Sequence, residues 1–410
     1  MSGARQTALD RAKGQWITSI DPDDLIDKDY FRYIFEFLKK YQSDDINLIV
    51  TNLISLNSSN GRLTNNHALH HRFDRGDRVA DLASEPQNIQ LGASALLKLD
   101  LIREFSLSYD TLIRPTFEDA HLIGRYLSHF SHPKVGILAS AKYYYRKRGD
   151  TSSLVQSSWS SVDRYTTVLE RGYLDLLRYA QETTGIVPPW IQNMVLYDLF
   201  WYFLEDSKQF SRTAWVDVAT RDRFLELLDL IFAHIDIDVL TEFNIFPVPL
   251  HVRHAIITRF KSTKQTLVSQ SKKADGTLDL IVFSAYGVAE SINIPAENRT
   301  LHSFFGVKFC REIHFRNVKP DEFLSILSLV SFQDFPGEAD YESGVSYFRP
   351  TRGLTTDRRK GTQVFALFFA KLVRARELLR LRTLATGQSS YTTYKRAFMS
   401  GCSEIKASAI

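Results

Sequence analysis

Thiols are scarce in this chain: only Cys310 and Cys402 stand in 410 residues. That excludes a disulfide framework and a thiolate metal site, and it fits a reducing compartment. Long apolar runs are missing as well. The strongest, Val364 to Ala370, is far below the ~18 residues that a membrane span needs. No apolar stretch of signal-peptide type follows Met1. The Gly-rich phosphate cradles of dinucleotide and P-loop proteins are absent, no serine sits on a nucleophile elbow, and no repeat of fixed period appears. What is present is a globular composition, 44% apolar and 24% charged, long enough for roughly two to four domains.

Charge is unevenly distributed. From Gly344 to Ile410, thirteen Lys/Arg face three acids, a net +10; the whole chain is +4, so residues 1–343 carry −6. A basic tail on a mildly acidic body calls for an anionic partner. No nucleic-acid fold signature accompanies it. Between Gln363 and Arg382 the pattern is amphipathic, with Phe365, Phe368 and Phe369 against Lys371, Arg374, Arg376 and Arg380. That pattern suits an anionic membrane surface better than nucleic acid, although a helix packed within its own domain also satisfies it.

Three segments carry chemistry. Ser2 to Asp10 reads as a short helix, followed by a Gly14 turn, an apolar strand at Gln15 to Ile20, and Asp21-Pro22-Asp23-Asp24 at its exit. Two carboxylates spaced D-x-D on such a turn reach one hard cation from the same side. The plain alternative is an Asp-Pro turn whose Asp24 or Asp27 caps the next helix. An EF-hand is a poor fit, because Ile26 stands where its glycine belongs. Next, Glu118 and Asp119 open an amphipathic stretch, where the helix dipole favours ionised carboxylates and where capping alone also accounts for acids. Last, Tyr143-Tyr144-Tyr145-Arg146-Lys147-Arg148 runs on to Ser152-Ser153, groups that donate hydrogen bonds to phosphate.

In this order the segments resemble the family-2 glycosyltransferases of GT-A fold. Those proteins share an A-R-N-x-(G/A)-L helix, a strand ending in D-x-D-D, a later E-D pair opening a helix, and a Y-x-Y-R-x-R-x-x-S-S-type stretch. Here these stand as Ala4-Arg5-Gln6-Thr7-Ala8-Leu9, with Gln6 in place of Asn, then Asp21 to Asp24, Glu118-Asp119, and Tyr143 to Arg146 with Ser152-Ser153. The resemblance covers roughly residues 2–156 and implies a partial GT-A, Rossmann-like α/β domain over 1–156. It implies inverting, metal-dependent transfer of a sugar from a nucleotide-sugar donor to a cell-surface polymer of teichoic acid or capsule type. Asp21 and Asp23, helped by Asp24, are expected to hold Mg²⁺ or Mn²⁺ against the donor diphosphate. Arg5, Asp21, Asp24, Arg146, Arg148, Ser152 and Ser153 are expected to contact the donor. Asp119 is the expected base, with Glu118 positioning the acceptor or acting as the alternative base. Family members open with two strands, of V-S-V-I-I-P and V-D-D-G-S type, that this chain does not contain. The expectation is therefore an N-terminally truncated domain.

Downstream, apolar residues recur at helical spacing from Trp159 to Ile235, defining a helical region over 157–268. Within it Trp190, Tyr197, Phe200, Trp201 and Tyr202 read either as core or as a sugar-stacking platform, core being favoured by that spacing. Ser269 to Gly276 reads as a linker. Period-two runs then predict a small antiparallel β module over 277–345, and a basic helical tail fills 346–410. His67, His70 and His71 carry i, i+3, i+4 spacing, but Asn65 and Asn66 favour a loop and no fourth zinc ligand is evident. The middle, with Pro188 to Met194 and Tyr197 to Phe203, is similar to multidomain bacterial polymer synthases. In those a family-2 glycosyltransferase precedes a CDP-glycerol glycerophosphotransferase domain. That leaves a second function open, a non-catalytic or docking portion of a larger cell-wall polymer synthase. Either way the expected location is cytoplasmic, with peripheral contact to the inner face of the plasma membrane.

The tail reading has a direct test. On liposome flotation the chain should float with anionic but not neutral vesicles, and lose about 1 kcal/mol per Lys or Arg near the surface as salt screens them. Equal recovery on both lipids would assign the arginines elsewhere.

Overall fold

The strand Leu48–Asn57 (β3) reads L-I-V-T-N-L-I-S-L-N and is buried along nearly its whole length, as a strand covered on both faces must be. It pairs in parallel with Lys134–Lys147 (β7) from Leu48↔Val135 to Asn57↔Lys147. The computed structural model describes residues 2–92, 94–147, 157–261, 267–275, 277–285, 298–318 and 349–350. Arg148, Ser152, Ser153 and the basic tail with Gln363 to Arg382 lie outside the described residues. Around β3 and β7 a mixed sheet runs in the order β1 (Trp16–Thr18), β6 (Ala95–Lys98), β3, β7, β2 (Leu25–Ile26). Two short strands lie off that path: β4 (Leu63–Thr64) on β3 and β5 (Arg78–Asp81) on β7.

The register of β7 slips opposite the Thr51–Asn52 step. Asp77 holds the slipped segment, accepting from Ser140 N–H at 3.0 Å and from Ser140 Oγ at 2.7 Å. Such an irregularity re-aims the residues beyond it. Here those residues are Tyr143, Tyr144 and Arg146, which face the acidic turn.

Helix α1 (Ser2–Arg11) precedes β1, and α2 (Tyr30–Lys40) covers one face of the sheet. Tyr30, Ile34 and Phe37 of α2 pack there with Ile49, Leu96, Leu138 and Tyr143. After the short helix α3 (Leu99–Glu104), helix α4 (Glu118–Leu127) and the helical region bury the larger core. That core is continuous from Leu9 through Leu177 and Phe203 to Cys310. The helical region includes Asp175–Thr184, Pro189–Asp206, Val218–Ala233 and Leu250–Phe260. Pro189 sits at the first helical position, where the missing N–H costs nothing.

The expected antiparallel β module is present and begins earlier than the sequence suggests. Ser269 to Lys272, read as linker, belongs to β8 (Leu267–Lys272), which pairs with β9 (Leu278–Ala285) from Leu267↔Phe283 to Lys272↔Leu278. Backbone pairing across a tight turn needs no apolar alternation, so hydropathy missed it. Strands β10 (Asn298–Phe304) and β11 (Val307–Val318) continue the sheet in the order β10, β11, β9, β8. Among the described residues no helix is long and apolar enough to cross a membrane.

Gly136 marks the tightest approach of sheet and α2. A Cβ there would stand 2.6 Å from Phe37 Cε1 and 3.4 Å from Ile46 Cγ2. Gly136→Ala should cost about 1–3 kcal/mol through overpacking. Urea unfolding measures it, and an unchanged midpoint would mean that the ring yields freely.

Candidate active site

Three distant segments meet at one guanidinium. Arg5, on α1, donates from Nη2 to Asp21 Oδ1 at 3.0 Å. From Nη1 it donates to Glu118 Oε1 at 3.0 Å and to both Asp119 oxygens at 2.7 Å. The Arg5 side chain is 11% exposed, so these ion pairs lie largely out of water. Burial alone would depress its pKa, but the charges of Asp119, Asp21 and Glu118 outweigh that and hold it above its ordinary value.

Burial acts in the opposite sense on the acids. It raises Glu118, and it raises Asp119 to about 7, with the Glu118 charge adding to the effect and Arg5 opposing it. The helix start, expected to keep both carboxylates ionised, is outweighed by desolvation at Asp119. The residue before this pair, Phe117, has φ +79°. A phenylalanine in the left-handed region is strained. Its ring is held edge-on to Tyr173 at 4.6 Å and against Gly172, whose added Cβ would stand 3.1 Å from it. On the other side Gly92 lies next to Asp119, with space for a Cβ at 3.7 Å from Oδ2.

The acidic turn is fixed by β7. Tyr143 Oη donates to Asp24 Oδ2 at 2.8 Å and accepts from Asp21 N–H at 3.2 Å. Arg146 N–H donates to Asp24 Oδ1 at 2.8 Å. Asp24 is 7% exposed, and its pKa is raised by burial, which these two hydrogen bonds only partly offset. Its carboxylate thus anchors the turn to the sheet, while Asp21 faces Arg5. Gln6 accepts from Tyr109 N–H at 2.7 Å, tying α1 to the 109 loop. Sequence reasoning named Tyr143 only as part of the aromatic run and did not single out Tyr109. The only signal was the aromatic run itself, which says nothing of where a hydroxyl points.

The zinc reading of the histidines is not supported. His70 Nδ1 lies 2.7 Å from His67 O, His71 Nδ1 lies 3.2 Å from Ala68 O, and His67 Nδ1 accepts from Leu69 N–H at 3.2 Å. Each ring spends a nitrogen on local backbone. Burial pushes His67 down to about 4, so it is neutral. Among the described residues no group of three or more His, Cys, Asp or Glu is arranged to hold a metal.

Two cavities flank a ledge formed by Tyr197 and Trp201. One, of about 520 Å³, opens beside His67, Tyr145 and Lys147 at the ends of β3 and β7. The other, of about 560 Å³, opens beside Leu91, Thr116 and Phe117, next to the acid pair. The aromatic cluster therefore divides. Trp190, Phe200 and Tyr202 are core, whereas Trp201 is 38% exposed and stacks on Phe246 at 4.7 Å.

An acidic turn at a strand exit and a carboxylate pair at a helix start thus meet within one mixed α/β sheet domain. Residues 1–90 match the profile described as Glycosyl transferase family 2. Over 246 residues it is 28% identical to the minor teichoic acid biosynthesis protein GgaB of Bacillus subtilis strain 168, covering 59% of this chain and 25% of that protein. Over 200 residues it is 26% identical to the minor teichoic acid biosynthesis protein GgaA of the same organism, covering 48% and 43%. The chain thus spans between a quarter and under half the length of these relatives. Among solved structures, S. aureus TarS 1–349 in complex with UDP aligns at TM-score 0.40 and 12% identity, over 68% of this chain and 75% of that one.

Arg5→Met would leave the carboxylates without their shared cation. It should cost about 3–5 kcal/mol at pH 8. The cost should shrink at pH 5, because Asp119 has a raised pKa and is protonated below about 7, no longer needing the guanidinium. Denaturant titrations at the two pH values measure this; a pH-independent loss would mean that Arg5 acts by packing alone.

Proposed function

We propose that this chain contributes the metal and base side of an inverting glycosyltransferase, acting on a nucleotide-sugar donor and a teichoic-acid-like polymer acceptor. One observation carries the reading: Arg5 gathers Asp21, 16 positions along the chain, with Glu118 and Asp119, 113 and 114 positions along. Carboxylates are expensive to bury, and nothing in the packing of the sheet requires these.

In this reading Asp119 takes the proton of the acceptor hydroxyl as that oxygen forms its bond to the anomeric carbon. The bond from that carbon to the donor phosphate breaks on the opposite side, and the nucleoside diphosphate leaves. A base with pKa about 7 suits this task, being about half ionised near neutrality yet basic enough to accept the proton. Glu118, beside it and on the same guanidinium, orients the acceptor. Asp21 and Asp23 are hard oxygen donors, a chemistry that fits Mg²⁺ or Mn²⁺, and two carboxylates suffice when substrate phosphate completes the shell. When bound, the ion would neutralise charge on the departing diphosphate. Asp24 supports the turn from behind, and Arg146, with Arg148, Ser152 and Ser153 beyond it, supplies further phosphate contacts. Few cysteines and a basic amphipathic tail support a cytoplasmic reaction with peripheral contact at the inner membrane surface.

A second reading is a docking portion of a larger synthase. It is favoured by the chain spanning 25% and 43% of its two relatives.

Release of nucleoside diphosphate from a panel of nucleotide sugars, with purified teichoic acid as acceptor, separates the two. Turnover should need Mg²⁺ or Mn²⁺, and kcat/KM should rise with pH up to about 7 as Asp119 deprotonates. Asp119→Asn should lose about 10²–10⁴-fold, and Asp23→Asn should abolish the metal-dependent rate. Full activity of Asp119→Asn, or wild-type turnover in excess EDTA, would sink the mechanism. No turnover with any donor would leave the docking role.

A further inference from the structure

The helix start that bears the acid pair is strapped to the helical region by a polar contact that packing alone does not require. His121, two residues beyond Asp119 on α4, is 1% exposed. Its Nε2 lies 2.6 Å from Oδ2 of Asp175, the first residue of the helix Asp175–Thr184 (α5). An ionised carboxylate only accepts, so Nε2 carries the proton. The hydrogen bond in turn holds Asp175 below the usual carboxylate range. His121 Nδ1 is buried with no hydrogen-bond partner. An orphaned buried nitrogen is a cost that a leucine or methionine of similar size would avoid. What an apolar side chain would not supply is direction. It lets one helix turn or slide against another, whereas a hydrogen bond of defined geometry does not.

The same two helix faces meet twice more. Arg125, one turn along α4, places its guanidinium 4.2 Å from the ring centroid of Tyr179, one turn along α5. His129, just past the end of α4, has Nε2 2.8 Å from Tyr179 Oη. Between these contacts Gly124 brings the helices close, since a Cβ there would stand 2.7 Å from Leu176 Cδ1 and 2.9 Å from Cδ2. The turn before α5, Val168–Leu174, is π-helical, a form that appears mostly as single turns and frequently at functional sites. It sets Gly172 and Tyr173 against Phe117. Arg171 donates from Nε at 3.0 Å and from Nη2 at 2.6 Å to Asp110 Oδ2, on the loop that leads to α4. Residues 171–179 thus grip the acid-bearing turn from before it and from beside it.

We propose that Asp175 is a positioning residue for the acid pair: through His121 it fixes the rotation of α4, and so the direction in which Glu118 and Asp119 face. This rests on reading those two carboxylates as the base end of a glycosyltransferase. Asp175 is half-exposed, and its hydrogen bond goes to His121 rather than to a member of the Arg5 cluster, so its effect is indirect.

The test uses the full chain. Hydrogen exchange followed by mass spectrometry reads the amides of residues 117–124. Nucleoside diphosphate release, with purified teichoic acid as acceptor, reads kcat and KM. Asp175→Ala should speed exchange at 117–124 about tenfold more than in β3 and β7, the size of one lost hydrogen bond. Its kcat should fall about tenfold or more, as misplacing a reacting group does. KM for the nucleotide sugar and the affinity for UDP should stay unchanged. Asp175→Asn keeps an acceptor for Nε2 and should restore both readouts. Asp175→Ser, too short to reach Nε2, stands in should the alanine variant fail to fold. Unaltered exchange at 117–124, an equal rise throughout the chain, a raised KM with kcat kept, or an asparagine variant as impaired as alanine would overturn the proposal. A wild type without turnover whose Asp175→Ala variant still exchanges faster at 117–124 would leave the strap standing and remove the glycosyltransferase reading instead.

Discussion

Four charges in a space with little water can coexist only if one of them is of opposite sign and reaches all the others. Arg5 does this for Asp21, Glu118 and Asp119. A planar fork with five donors can serve several carboxylates at once, which an ammonium on a flexible stem does less well. The cost is shared unevenly. One cation does not offset burial of three acids: desolvation first, with the Glu118 charge added, raises the pKa of Asp119.

Much of this was legible in the sequence, and the illegible part has physical reasons. Patterning located α1, the acidic turn and the Glu118–Asp119 helix start, because capping and strand-exit chemistry are local. The state of Asp119 was not local: the helix dipole argued for ionisation, while burial, visible only after packing, argued more strongly against it. Nor could composition divide the aromatic cluster. Trp190 and Trp201 sit on one helix with similar surroundings in sequence, yet one is 2% and the other 38% exposed. The strand at Leu267–Lys272 escaped because its partner strand, not its own hydropathy, defines it.

The family match ends at residue 90, but the core does not. Leu9, Val50 and Val135 share one apolar cluster with Leu176, Phe203, Phe224 and Phe309. Helix α4, which Glu118 and Asp119 open, packs into this core, and the Phe117 ring before it lies against Tyr173 and Gly172. The acid pair is therefore oriented by residues that a description limited to the matched segment would leave out.

Tyr143 adds something of a different kind. Its hydroxyl is the shared rivet between Asp21 N–H and Asp24 Oδ2, and its own backbone lies in the sheet between β3 and β2. A turn pinned this way has already given up its freedom before any ligand arrives. Any association at the acidic turn would then carry little further ordering penalty.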